Sequence, residues 1–320
     1  MNTTPTTIRD QPVAYTVVGG KRVERKTSAP RLLSVVVLNR GGRFNRAELF
    51  DTLSQLNPSE IISIEPLGTP YDVESLSNRY PNLRFLLLHT PANRGQQVNI
   101  GIQEAHGRFV LVIWNDNSGI VAPTRILEHM RNEGILCTVP VIKNDRGELV
   151  PSIQAPAFFR KLLRVVAVVP SKEGMPSLFP YDYAGIYDRE RFLLCGGYDM
   201  SLANEYWQKM DFGYRVHMWG ETISSNLQFR MSCESQVPSE DITPDHSYRI
   251  FYLKNLSVRF TADHAVLPFS RFLPFHLRSG GSLVTSFRLF RNAQVWVYTN
   301  RYRFTQDARS VTDLWEVKET

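Results

Sequence analysis

The chain has 320 residues, with 37 Lys+Arg against 31 Asp+Glu (net charge +6), 42% hydrophobic and 21% charged residues, a balance that excludes a disordered or fibrous protein. This length buries one large α/β domain plus an extension, and no apolar run is long enough for a membrane-spanning helix. The polar start lacks a signal-peptide core, which places the protein in the cytoplasm, and the positive charge favours nucleotide diphosphates, nucleic acid or an acidic membrane surface.

Residues 1–30 are polar and Thr-rich, end in the basic run Lys21–Lys26, and read as an N-terminal extension, either flexible or a short added hairpin. The core is expected to open with the β-branched run Leu32–Leu38, a first strand leading into the ligand-facing loop Asn39-Arg40-Gly41-Gly42. Leu49, Leu53 and Leu56 mark a helix, Glu60–Glu65 a second strand and Leu83–Leu88 a third. Asn93-Arg94-Gly95 is a turn signal. Val98, Ile102 and Ala105 then repeat as one buried helix face that is expected to stop near Gly107. The unbroken apolar run Phe109–Ile113 is the pattern of a central parallel strand, and it delivers Asn115-Asp116-Asn117 to the sheet edge where α/β proteins collect ligands.

Strand-helix alternation up to this point predicts a parallel sheet with right-handed crossovers. A helix over Pro123–Asn132 buries Ile126, Leu127 and Met130, and Leu136–Ile142 is a further strand that turns at Asn144–Gly147. From Val150 to Pro180, prolines and the basic apolar piece Phe158–Arg164 give no clear period. Cys137, Cys195 and Cys233 lack zinc spacing and read as buried free thiols.

Several stretches together carry a resemblance: Asn93-Arg94-Gly95, Asn99 and Gly101, Ala105-His106-Gly107, Phe109–Ile113, and Trp114-Asn115-Asp116. Tyr183–Phe192 continues it, as do Gly196-Gly197-Tyr198-Asp199 and Trp207–Arg215. The chain resembles a family 2 glycosyltransferase with the GT-A nucleotide-diphospho-sugar transferase fold. That resemblance implies an α/β fold with a mainly parallel sheet flanked by helices. It places a GT-A domain over 31–228 and a helical C-terminal extension packed on it over 229–320. It implies that Asn39, Glu65, Asn93, Arg94, Gln97, Asn115 and Asp116 bind the nucleotide sugar, and that Gly196, Gly197, Asp199 and Arg215 border the acceptor. Asp116 and His246 are the implied ligands of a divalent cation, Mn or Mg. Asp211, then Glu205, are the candidate catalytic bases.

The chain departs from the pattern at three positions. Trp114 stands at the first aspartate of the Asp-x-Asp metal motif, and Gln208 and Lys209 occupy the acidic pair of the later helix. Other readings compete at single residues. Glu65 is also a solvated strand end, His246 a surface histidine, and Asp211 the i, i+4 partner of Arg215. The tail Phe269–Phe304 is rich in aromatics and Arg, with no acid before Asp307. It reads either as anchors packing on the catalytic domain or as a basic surface on the inner face of an anionic membrane.

The expected activity is transfer of a sugar from a nucleotide-diphosphate sugar to a glycan, lipid-linked or protein hydroxyl, with inversion. Its competitor is a non-catalytic GT-A module that binds nucleotide sugar or glycan, or scaffolds glycan assembly. Nucleic acid is not an expected partner, since only charge speaks for it and no recognition motif is present.

Overall fold

The computed structural model describes residues 13–20, 32–41, 46–68, 72–159, 162–233 and 239–318. The basic run Lys21–Lys26, Gly42 of the first loop, and Arg160 and Lys161 of the basic apolar piece lie outside the described residues.

β1 (Tyr15–Gly19), β2 (Leu33–Leu38), β3 (Glu60–Glu65), β4 (Leu83–Leu88) and β5 (Phe109–Trp114) alternate with α1 (Arg46–Ser54), α2 (Val73–Arg79) and α3 (Arg94–Glu104). β2, β3 and β5 are buried at every position, as strands covered on both faces must be. Next come β6 (Asn117–Val121), α4 (Arg125–Glu133), β7 (Cys137–Lys143), β8 (Ile153–Phe159), β9 (Leu162–Val168) and β10 (Gly185–Asp188). They are followed by α5 (Arg189–Leu194), α6 (Glu205–Met218) and β11 (Ile223–Cys233). The remainder is mostly helical. α7 (His246–Phe251) runs on into a π-helical stretch, Tyr252–Leu256. A small ribbon, β12 (Arg259–Thr261) with β13 (His264–Val266), precedes α8 (Phe272–Ser279), α9 (Leu283–Asn300) and α10 (Ala308–Lys318).

One nine-stranded sheet has the order β1-β4-β3-β2-β5-β10-β7-β11-β6. β4, β3, β2 and β5 run parallel. β10 is antiparallel to both β5 and β7, and β11 returns parallel to β7. The chain winds outward from β2 to β4 and then comes back to lay β5 on the other side of β2. The loops after β2 and β5 therefore lie side by side, at the point where the direction of winding switches.

The helix expected to stop near Gly107 ends at Glu104 with Ala105 as its cap. Gly107 has a different reason to be glycine: a Cβ there would sit 2.6 Å from the Ser34 backbone nitrogen, and its N–H donates to Ser34 Oγ at 2.8 Å. Part of the expected N-terminal extension is a strand, β1, which pairs antiparallel with β4 at the sheet edge. The expected boundary at Gln228 falls inside β11, which runs on to Cys233 and pairs with both β6 and β7. The aperiodic middle forms a β8–β9 hairpin, a long-range pairing that local composition does not announce.

Helices cover both faces of the sheet, and a third apolar cluster lies between α6 and the C-terminal helices. It joins Trp207 and Tyr214 of α6 to Phe251, Phe290, Trp296 and Trp315. Burying Phe290 alone is worth about 2–3 kcal/mol relative to leaving it in water, so the tail is in part a packed layer. No helix among the described residues is long and apolar enough to cross a membrane.

Candidate active site

The two switch-point loops are stitched together by backbone and side-chain bonds. Asn115 donates its N–H to Leu38 O at 2.9 Å, and Arg40 N–H donates to Asn115 Oδ1 at 3.1 Å. This turns the Arg40 side chain inward. Its Nε lies 3.1 Å from Asp116 Oδ2, its Nη2 pairs with Asp182, and its guanidinium sits 4.2 Å above the Trp114 ring. Trp114 Nε1 in turn donates to Asp182 O at 2.8 Å, and Asn117 Oδ1 accepts from Trp114 N–H at 2.9 Å.

Asp182 and Tyr183 hold φ of +50° and +65°, two consecutive left-handed residues without glycine. Such backbone costs on the order of 1–3 kcal/mol per residue and persists where surrounding contacts over-determine it. Here the Trp114 and Arg40 contacts do so. Burial pushes the Asp182 carboxyl up to about 6, against the pull of Arg40 and Lys209. A second guanidinium, Arg94, lies 5.5 Å from the same Trp114 ring and reaches Glu205 at 2.7 Å. The cleft beside this cluster holds about 390 Å³ and is lined by Arg40, Trp114, Asn117, Arg146, Tyr181 and Asp182 among others.

The other residues expected at the nucleotide have local duties. Asn39 Nδ2 donates to Ile64 O at 2.6 Å, tying the ends of β2 and β3. Glu65 is not a solvated strand end, which corrects that reading of it. It is buried, and takes Arg46 Nη2 at 2.5 Å and Ser63 Oγ at 2.7 Å. Burial raises its carboxyl above the usual range while Arg46 opposes. Asn93 is the N-cap of α3 in a capping box with Gln96. Gln97 is buried and donates to Ala92 O at 2.9 Å.

Of the residues expected to border the acceptor, Gly196 and Gly197 hold φ of +80° and +61°, which turns the carbonyl of Gly197 toward Arg215 Nη2 at 2.7 Å. Arg215 also bonds Asp211 Oδ2 at 3.0 Å and the carbonyl of Cys195. Asp211 Oδ1 accepts from Asn255 Nδ2 at 2.8 Å, with Lys254 Nζ 3.6 Å away. Lys254 pairs with Asp199 at 2.5 Å. Burial works against the Asp199 charge, but Lys254 and Ser201 outweigh it and hold its pKa down at about 2.

Asp211 is thus fully buried in an ion cluster, and the pairing with Arg215 is what the geometry contains. A carboxylate sealed this way has no face open to an acceptor hydroxyl, so the expectation of Asp211 as base is corrected. Glu205 opens α6 with 28% of its side chain exposed.

The donor set does not fit a divalent cation. Asp116 Oδ2 already faces a guanidinium, and an indole stands where a second carboxylate of the motif belongs. His246 is exposed at the start of α7 and lines a separate cleft with Ser201, Lys254 and Arg288, so it does not join Asp116. Among the described residues no three His, Cys, Asp or Glu side chains gather as a metal donor set. Sequence reasoning assigned no role to Arg40, Arg46, Asp182 or Lys254. Arg40 adjoins Asn39 in the strand-end loop, the one local signal available. Asp182 lies beside the aperiodic middle and has none.

No protein-family model matches the chain, and the search of curated proteins returns no match. Among solved structures, the crystal structure of GalNAc-T7 with UDP, GalNAc and Mn2+ matches at TM-score 0.50 and 15% identity, over 71% of this chain and 51% of that one. The fold is GT-A. S. aureus TarS matches at TM-score 0.49 and 15% identity over 69% of this chain and 38% of its own, and TarS 1-349 in complex with UDP at 0.46 and 16% over 69% and 63%. The chain spans about half the length of the GalNAc-T7 structure. On this GT-A sheet, the Arg40 cluster occupies the strand-end switch point and the sealed cluster lies behind α6.

Proposed function

We propose that this GT-A protein is a family 2-like glycosyltransferase that takes a sugar from a nucleoside-diphosphate donor and passes it, with inversion, to a hydroxyl of a glycan, lipid-linked or protein acceptor. The observation that carries this reading is the convergence of Arg40 and Arg94 on Trp114 beside the switch-point cleft. Guanidinium groups meet phosphate oxygens in a fork, and this is the sheet edge where the architecture collects ligands. The likeness to a structure containing UDP supports the same reading.

In the reaction, the sugar–phosphate C–O bond breaks with its electron pair leaving on the diphosphate, whose charge the arginines offset. The acceptor oxygen forms the new bond to the anomeric carbon, and its proton passes to a base. Of the two candidates, Glu205 is the accessible one, at a helix N-terminus that favours a carboxylate. Arg94 contacts both the Glu205 carboxylate and the Trp114 ring, so donor phosphate held at Arg94 is felt at the base. The metal implied by the family resemblance enters no step.

A panel of nucleoside-diphosphate sugars tests the reading by thermal shift and by release of nucleoside diphosphate. One nucleotide class should raise Tm and be turned over; absence of binding by every donor would overturn it. The non-catalytic reading is favoured by Trp114 and Lys209 at acidic positions, and binding without turnover under any acceptor would place it first.

The partner surface is proposed to include an anionic membrane. α8 and the start of α9 expose Leu273, Leu277, Leu283, Val284 and Phe287, with Phe269 just before them. Positions 273 and 277, like 283 and 287, are four apart and share a helix face. Arg278, Arg288 and Arg291 are exposed on the same hairpin, and no acidic residue lies between Asp263 and Asp307. Apolar side chains edged by arginines without acids match an anionic bilayer surface and suit a lipid-linked acceptor.

A further inference from the structure

We propose that Arg40 is the resident cation of the donor site, so that a nucleoside diphosphate binds this chain without a divalent metal. The inference rests on the nucleotide-sugar reading above and specifies how its diphosphate subsite works. A guanidinium offers five N–H donors in a fixed fork. Two edges of Arg40 face carboxylates, Asp116 through Nε and Asp182 through Nη2, while the flat face lies on Trp114.

Arg40 Nη1 faces neither carboxylate, and Nε lies at ion-pair distance from Asp116 without a hydrogen bond to it. Both nitrogens are buried and have no hydrogen-bond partner among the described residues, in a side chain only 9% exposed that lines the cleft. A buried donor without a partner is costly unless something outside the chain accepts from it. Asp116 Oδ1 is also buried without a hydrogen-bond partner among the described residues, but it is an acceptor and offers nothing to a phosphate oxygen. The two carboxylates thus hold the Arg40 guanidinium in place by its other edges and leave Nη1 as its spare donor.

The surroundings resist a metal as well. An ion placed against Asp116 would meet the Arg40 charge across the shared carboxylate, and like charges at contact distance repel. Trp114 contributes an apolar ring and an N–H already given to Asp182 O, with no oxygen ligand. Asp182 comes from a distant loop, yet its strained backbone carries it to Arg40 and nowhere nearer a third ligand. The second guanidinium on the same indole, Arg94, adds the charge that a single Arg40 would lack against a diphosphate.

Isothermal calorimetry with UDP, GDP and ADP, each in chelator and in Mn2+, tests this, together with Mn2+ titrated alone. At least one nucleotide should bind the wild type with Kd changed less than about twofold by Mn2+, and Mn2+ alone should give no binding. Arg40→Gln should weaken that nucleotide by about ten- to a hundredfold in chelator, the loss expected for a charged hydrogen bond. Because Arg40→Gln leaves two buried carboxylates facing each other, the double variant Arg40→Gln/Asp182→Asn provides a folded control and should show the same loss. Nucleotide binding that appears only with Mn2+ and vanishes in chelator overturns the inference and leaves the glycosyltransferase reading intact. Binding unchanged in both variants overturns it too. If none of the three nucleotides binds under either condition, both readings fall.

Discussion

Two buried ion clusters of similar composition lie in this fold, and they differ in how their charged groups are matched. In the cluster behind α6, Asp199, Asp211, Arg215 and Lys254 are each matched within the protein, with Lys254 also 4.3 Å from the Trp296 ring. In the switch-point cluster, Arg40 and Asp116 keep buried atoms without a hydrogen-bond partner among the described residues, and Arg40 lines a cleft with Trp114 and Asp182. A cluster whose charged groups are all paired is a clasp: it fixes the Gly196-Gly197 loop and the π-helical stretch against α6, although the neutral Asn255 Oδ1 and Trp296 Nε1 beside it have no hydrogen-bond partner among the described residues. An unsaturated one next to a cavity is arranged for a ligand. Residue type alone does not distinguish them, since both contain aspartate and arginine.

The sharpest test of the clasp is to break it. Asp211→Ala leaves Arg215 and Lys254 buried beside a lost partner, and should cost about 3–5 kcal/mol in denaturant unfolding. A cost below about 1 kcal/mol would mean that the cluster is not holding α6 in place.

The two clusters should also part company with pH. Asp182 has its folded pKa raised to about 6, so its stabilising contribution is present below the unfolded value and is lost as pH rises through 6. Asp199 is held down at about 2, so its contribution is present above the unfolded value and is lost only as pH falls toward 2. Between pH 4 and 6, wild type should therefore lose stability relative to Asp182→Asn, on the order of 3 kcal/mol for roughly two pKa units. Over that interval an Asp199→Asn variant should keep a constant offset from wild type. Chemical unfolding at several pH values reads both, and parallel curves for wild type and Asp182→Asn would remove the distinction.

A smaller energy separates binding from chemistry at the open site. Glu205→Gln should lower turnover by about a hundredfold or more, while donor affinity changes far less, by no more than the release of Arg94 accounts for. Equal turnover in the two proteins would take the base role away from Glu205. The smallest effect lies at the periphery. Replacing Arg288 and Arg291 by Glu should weaken co-sedimentation with anionic liposomes by about tenfold or more, in a salt-sensitive way. Leu277→Glu should weaken it with little salt dependence. Wild type that stays in the supernatant at low salt would assign this face to something other than a bilayer.

Much of the N-terminal half was legible in order. β-branched and apolar runs at Leu33–Leu38, Glu60–Glu65 and Phe109–Trp114 became fully buried strands, and the Asn93 turn became a capped helix start. The position of Asp116 at the end of a central strand follows from this periodicity, whereas the GT-A fold was implied by the resemblance that the motifs around it carry. Strand and helix patterns are local, set by neighbours two to four residues away, and so a sequence states them directly.

What each charge pairs with is a different kind of fact. Arg40 meets Asp182 across 142 residues, Arg94 meets Glu205 across 111, and Lys254 meets Asp199 across 55. Composition fixed that such residues exist; it did not fix whether an aspartate would be sealed, as Asp211 is, or left with an unspent oxygen, as Asp116 is. That choice depends on burial, and burial is decided only when β10, α6 and the C-terminal helices close over the sheet. The physical reason is that a charge in low dielectric is governed by whichever opposite charge lies within a few ångströms, and distance in space is not written along the chain.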